Sequence, residues 1–147
     1  MKRVKDILRI KGDQVWSVSP HATVREALQE MADKNIGAVL VMDRGHLAGI
    51  FSERDYARKL DVKGRRADET HVNEVMTQQV VGVRPDDSVD ECMAIMTERR
   101  IRHLPVVDGG EVAGIVSIGD VVKSIISEQQ FLIEQLELYI TGTPQRR

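Results

Sequence analysis

The sequence is poor in the residues that mark several large classes of protein. Cys92 is the only cysteine, so no intrachain disulfide can form, and a reducing compartment is compatible. Aromatic residues make up 3% and the formal net charge is -2, which leaves little for stacking bases along a basic groove. No apolar run approaches the roughly 20 residues that cross a membrane. The start "MKRVKDILRI" has basic residues without the apolar stretch of a signal peptide. A cytoplasmic protein is expected, with neither a membrane nor a nucleic acid as partner. Patterns that carry chemistry are also missing. No spacing of His, Cys, Asp and Glu matches a zinc or calcium site. No glycine-rich loop has the Walker or Rossmann form, and no nucleophile is paired with a base. The expectation is a protein that is not an enzyme and requires no metal or cofactor.

What the sequence does contain is an internal repeat. "SVSPHATVREALQEMADKNIGAVLVMDRGHLAGIFSERD" lies over "GVRPDDSVDECMAIMTERRIRHLPVVDGGEVAGIVSIGD" without a gap. Pro20 falls on Pro85, Met31 on Met96, Gly49 on Gly114, Ser52 on Ser117 and Asp55 on Asp120. Upstream, "VKDIL" matches "VNEVM". Two copies are too few for a solenoid; they predict two half-domains packed about a pseudo-two-fold axis. In each copy Thr23 with Glu26, or Ser88 with Glu91, fits a capping box. The helix that follows shows one apolar face, Val24, Ala27, Leu28 and Met31, or Val89, Cys92, Met93 and Met96. An apolar strand, a tight turn ("DRGH" or "DGGE"), a second strand and a second helix come next. Each half thus reads β-α-β-β-α, with small mixed sheets packed by helices, in the α+β class.

The repeats are placed at 1–62 and 72–127. A polar connector at 63–71, with Gly64 as breaker and a solvated basic cluster of Lys63, Arg65 and Arg66, joins them. A C-terminal helix and tail occupy 128–147. An apolar stripe, Ile125, Ile126, Leu132, Ile133, Leu136 and Ile140, runs along that helix, interrupted by Gln129. It must cover either the chain's own core or a second subunit. "TGTPQRR" reads as a frayed end.

Both copies write Gly-Ile-x-Ser-x-x-Asp at a strand-to-helix junction, in "GIFSERD" and "GIVSIGD". A plain helix cap places Ser and Asp in the same way. Its duplication, facing one cleft across the pseudo-axis, also suits a nucleotide. The helix start and the Ser hydroxyl favour phosphate, and a carboxylate can accept from two neighbouring ribose hydroxyls.

The stretches "IGAVLVMDRGHLAGIFSERDYAR" and "RIRHLPVVDGGEVAGIVSIGDVV" resemble a tandem pair of cystathionine-β-synthase (CBS) domains, a Bateman module. The resemblance runs from about Val4 to Ile126. It implies a ligand such as AMP, ADP, ATP, an NAD-type dinucleotide or S-adenosylmethionine between the repeats. It assigns the ribose to Asp55 and Asp120, with Ser52 and Ser117 beside them. Phosphate would meet Arg102 and His103, just before the strand that holds Pro105. Thr77 and Val80 would frame the base, and Ile36 and Ile101 would be apolar walls. The copies differ. The first has Gly37-Ala38 in place of Arg102-His103 and offers Arg54 instead, where the second has Gly119. Thr77 is grouped with Arg102, His103, Ser117 and Asp120 in the second site, which makes that site the more suited to phosphate. Related pairs often dimerise, so a homodimer is expected, with an unknown effector protein reading the ligand.

Two alternatives remain open at this point. One is a purely structural dimerisation module whose clefts hold nothing, and the other is a nucleic-acid-binding member of the family. Trp16 and Cys92 are read as packing residues, and His21, His46 and His71 as solvent-facing.

Overall fold

The computed structural model describes residues 2–142; residues 143–147, in the tail expected to fray, lie outside the described residues. The chain runs through α1 (Val4–Lys11), β1 (Ser17–Val18), α2 (Val24–Lys34), β2 (Ala38–Asp43), β3 (His46–Ser52), α3 (Glu53–Tyr56), α4 (Val72–Val75), α5 (Val89–Arg99), β4 (His103–Asp108), β5 (Glu111–Ser117) and α6 (Ile118–Thr141). A π-turn at Ala57–Asp61 continues α3, and a 3-10 turn at Ala67–Glu69 lies in the connector. The result is an α+β fold of two repeats with small mixed sheets. Among the described residues no helix is long and apolar enough to cross a membrane.

Each hairpin forms for the same local reason. Arg44 and Gly45, or Gly109 and Gly110, hold positive φ between paired Asp43 and His46, or Asp108 and Glu111. Two positive-φ residues match the right-handed strand twist. One bulge follows in each, between Val41 and Met42 and between Val106 and Val107. The apolar helix faces are buried as the spacing predicts: Val24, Ala27 and Met31 in α2, and Val89, Cys92 and Met96 in α5. Thr23 and Ser88 cap their helices, while Ser52/Asp55 and Ser117/Asp120 are among the reciprocal boxes.

The two repeats exchange their leading segments. Val4 and Ile7 of α1 are buried in the core of the second repeat, with Val83, Val89, Leu104, Val106 and Val116. Val72 and Val75 of α4 are buried in that of the first, with Val24, Val39, Val41 and Phe51. The backbone fixes both swaps in one pattern. Val4 and Lys5 amides donate to Asp87 and Pro85 carbonyls, while Val72 and Asn73 amides donate to Ala22 and Pro20. The exchange explains the paired glycines in the β3 and β5 strands. A Cβ on Gly49 would lie 2.7 Å from Met76 Sδ and 2.8 Å from the Thr77 carbonyl oxygen, and one on Gly114 would lie 2.8 Å from Leu8 Cδ2. Only glycine leaves that room.

One element departs from the expected symmetry. β1 pairs parallel with β2 in the first repeat, but the second has only an isolated parallel bridge between Val83 and Val106. Leu40 donates its amide to Trp16 at 3.1 Å; its counterpart in the repeat is Pro105, which has no N–H to give. The order in the second half is therefore α-β-β-α with a bridge ahead of it. The division at 127/128 falls inside α6, which is one continuous helix. Within this chain α6 buries only Val121, and Ile126, Ile133, Leu136 and Ile140 remain exposed.

Candidate functional site

Ser52 and Ser117 each end a strand and start a helix. In both, the extended N-cap lets the hydroxyl accept from the N3 amide, Asp55 or Asp120. The carboxylate returns the contact, accepting from the Ser52 amide at 2.9 Å or the Ser117 amide at 2.8 Å. The cap reading is thus geometrically correct. It occupies one oxygen of each carboxylate and holds the aspartates, both partly buried, at the helix starts.

The halves meet at these junctions. The Glu53 amide donates to Gly37, and the Ile118 amide donates to Arg102, in matching positions. The His103 ring comes within 3.5 Å of where a Gly37 side chain would begin, and Glu53 Oε1 within 3.2 Å of it. Arg54 Nη1 crosses to donate to the Arg100 carbonyl at 3.1 Å. Arg54 therefore reaches the second repeat at the end of α5.

The two aspartates have different partners. Asp55 Oδ1 is 3.1 Å from Lys59 Nζ and accepts from Thr77 Oγ1 at 3.4 Å. Lys59 also donates to the Val75 carbonyl. Asp120 Oδ2 is 2.7 Å from Lys11 Nζ, which also donates to the Ile115 carbonyl at 3.1 Å. Burial pushes the Asp120 carboxyl up, but the Lys11 ammonium and the Ser117 amide outweigh this and hold it below its usual range. Burial lowers His103 from its ordinary value, and the charges of Lys11 and Arg102 add to that against the pull of Asp120.

Thr77 must accordingly be reassigned: the segment exchange carries it to Asp55, where its backbone bridges Ile50, and not to the Asp120 site. Lys11 and Lys59, the ion-pair partners of the two aspartates, are outside the residues the motif reading named. Lys59 stands four residues after Asp55, a pairing readable from helix spacing; Lys11 reaches Asp120 only through the exchange. Ile36 and Ile101 are half-buried against the two cores. Val80 is half-buried in the segment before Val83. Pro105 is buried in mid-strand, its carbonyl accepting from the Val83 amide.

A cavity of about 550 Å³ lies at the far end of the second hairpin, lined by residues 82–84 and 107–110. It contains none of the expected residues, and the chemistry of the junctions outweighs its size as a guide to the site. A cavity of about 190 Å³ beside Ile36 and Glu53 borders the first junction. Among the described residues no group of three or more His, Cys, Asp or Glu could hold a metal ion. Cys92 is buried, and burial pushes its thiol up to about 11. Trp16 packs against the first core with Lys34 Nζ 4.3 Å from its ring centre, while His21, His46 and His71 are exposed.

A duplicated α+β unit with exchanged leading segments and paired strand-to-helix junctions defines a class of module. The CBS domain family model matches residues 4–62 and again 72–127, and the chain belongs to that family as a tandem pair. It is 37% identical over 149 residues to the mitochondrial CBS domain-containing protein CBSX3 of Arabidopsis thaliana, covering 95% of this chain and 72% of that one. A CBS-domain protein of Burkholderia ambifaria superposes with a TM-score of 0.84 at 49% identity, over 87% of this chain and 96% of that chain. The CBS domain pair of protein MJ0100, solved in complex with 5′-methylthioadenosine and S-adenosyl-L-methionine, has a TM-score of 0.76 at 27% identity, over 87% and 98%.

Proposed function

We propose that this chain is a regulatory module without chemistry of its own, binding adenosine-containing ligands between its repeats. AMP, ADP, ATP and NAD are the ligands in view. The observation that supports this best is the pair of capped Ser-x-x-Asp junctions meeting across the repeats, each with a carboxylate beside a helix start and a lysine. Asp55 and Asp120 accept the ribose hydroxyls. Ser52, Ser117, Arg54, Arg102 and His103 lie where phosphate is favoured. Ile36 and Ile101 form apolar walls. Thr77, and Val80 after it, serve the Asp55 cleft. Adenosyl compounds bound to the related MJ0100 pair support the ligand class.

Binding changes the angle between the repeats, and a cytoplasmic effector protein reads it. The exposed α6 stripe supports a homodimer, since Leu136 is 62% and Ile140 78% exposed in the single chain and two-fold dimers are the commonest closed oligomers. Light scattering at micromolar protein is expected to give a dimer mass; a monomer mass removes this part of the reading. The ligand claim is tested by melting with AMP, ADP, ATP, NAD and S-adenosylmethionine. Ligand at about 100 times its dissociation constant stabilises the fold by about 2.7 kcal/mol. No shift with any of them leaves the purely structural module as the better account.

A further inference from the structure

The Asp120 junction is built from three separate elements. Lys11 comes from the last turn of α1, Arg102 and His103 from the start of β4 and the residue before it, and Asp120 from the first turn of α6. Lys11 Nζ spans the Asp120 carboxylate and the Ile115 carbonyl, and its side chain is about one-third exposed. Burial and the charges of Lys11 and Arg102 lower His103 from its ordinary value, and the Arg102 carbonyl accepts from the Ile118 amide at the start of α6. Position 79, the counterpart of Lys11 ahead of the Asp55 junction, is Gln79. The lysine on Asp55 comes instead from its own helix.

We infer that Lys11 sets the ligand selectivity of the Asp120 cleft, favouring phosphorylated adenosine compounds over uncharged ones. The inference rests on the adenosine reading above. A ribose that engages both oxygens of Asp120 with its two neighbouring hydroxyls competes with Lys11 for Oδ2, the oxygen that also accepts from the Ser117 amide. An uncharged nucleoside offers the displaced ammonium nothing in return, so a charge-assisted contact is lost. A nucleotide brings a phosphate to the α6 start, beside Arg102. Lys11 then moves from one anion to another and keeps a partner, with a third N–H to spare. The same side chain therefore opposes adenosine and supports AMP, so its removal acts on the two in opposite directions.

The test is calorimetric titration of AMP and adenosine into the full chain carrying Asp55→Ala, so that only the Asp120 cleft is read, with and without Lys11→Met. The expected result is AMP binding weakened about tenfold by Lys11→Met, the order of one charge-assisted hydrogen bond, and adenosine binding strengthened severalfold. Lys11→Arg keeps the cation and retains the preference for AMP; it also serves as the folded control should Lys11→Met melt early. If AMP binds and Lys11→Met moves both ligands equally or neither, Lys11 is only a structural ion pair and the inference falls while the adenosine reading stands. If neither compound binds the Asp55→Ala protein or the otherwise unaltered chain, the inference falls together with the reading it rests on.

Discussion

The two repeats carry the same caps, the same hairpin register and the same exchanged segment, yet hold their aspartates by different lysines. Asp55 takes Lys59 from its own helix and a hydroxyl from the exchanged Thr77. Asp120 takes Lys11 from the exchanged helix itself. The backbone pattern is what a duplicated fold must preserve, because register, turn and cap all depend on it. The contacts to each carboxylate are free to differ, because a lysine can reach one anion from several positions. The surroundings of the two aspartates can diverge in this way while the backbone pattern stays the same.

The comparison is broken most sharply at the glycines. Gly49→Ala drives a Cβ against the Thr77 carbonyl, part of the backbone, while Gly114→Ala meets only the movable end of Leu8. Overpacking costs about 1–3 kcal/mol; Gly49→Ala is expected near the upper end and Gly114→Ala near the lower, measured by urea unfolding. Equal losses would mean that the exchanged segments are not held as described.

Acid sharpens the comparison next. His103 titrates below its ordinary value because it is buried near Lys11 and Arg102, and Ala38 is its counterpart in the first repeat. The native state disfavours the imidazolium, so this contribution to stability is fully present above about pH 6.5 and is lost as pH falls through the lowered native pKa. The Asp120 contribution is present above the ordinary carboxylate range and is lost further down, through its own lowered pKa. His103→Gln is expected to remove the upper window of a stability-against-pH curve and leave the lower one. A curve unchanged by His103→Gln would contradict the burial of that ring.

The smallest effect is at Pro105. Pro105→Leu copies Leu40 and supplies the missing amide. One backbone hydrogen bond is worth about 1 kcal/mol, and losing proline's restriction of the unfolded chain opposes it by about 0.4–1 kcal/mol. Little net change in stability is expected, but the new amide at position 105 should be protected from hydrogen exchange. Rapid exchange there would show that the absent strand has another cause.

Much of this was legible in the sequence. The helix faces at Val24 and Val89, both hairpins, and the Ser-x-x-Asp junctions are local patterns, set by residues a few positions apart. What escaped depends on contacts between distant segments. Nothing local says that Val4 packs with Val106 or that Thr77 belongs with Asp55. Lys11, at the end of an exposed-looking basic helix, carries no motif. The short strand missing from the second repeat was readable in principle, since Pro105 stands where Leu40 gives its amide, but only once the parallel pairing of β1 was known.

The central claim is that the two aspartates hold ribose in separate and unequal clefts. It is tested most directly by calorimetric titration of AMP into the unaltered chain and into Asp55→Ala and Asp120→Ala. The account predicts two unequal binding events in the unaltered chain and loss of one event in each variant. Each variant should remain folded, because an N3 carboxylate at a helix start contributes only about 1 kcal/mol. The account is contradicted if AMP binds all three proteins alike, or if both variants unfold with no change specific to ligand, which would leave Asp55 and Asp120 as helix caps alone.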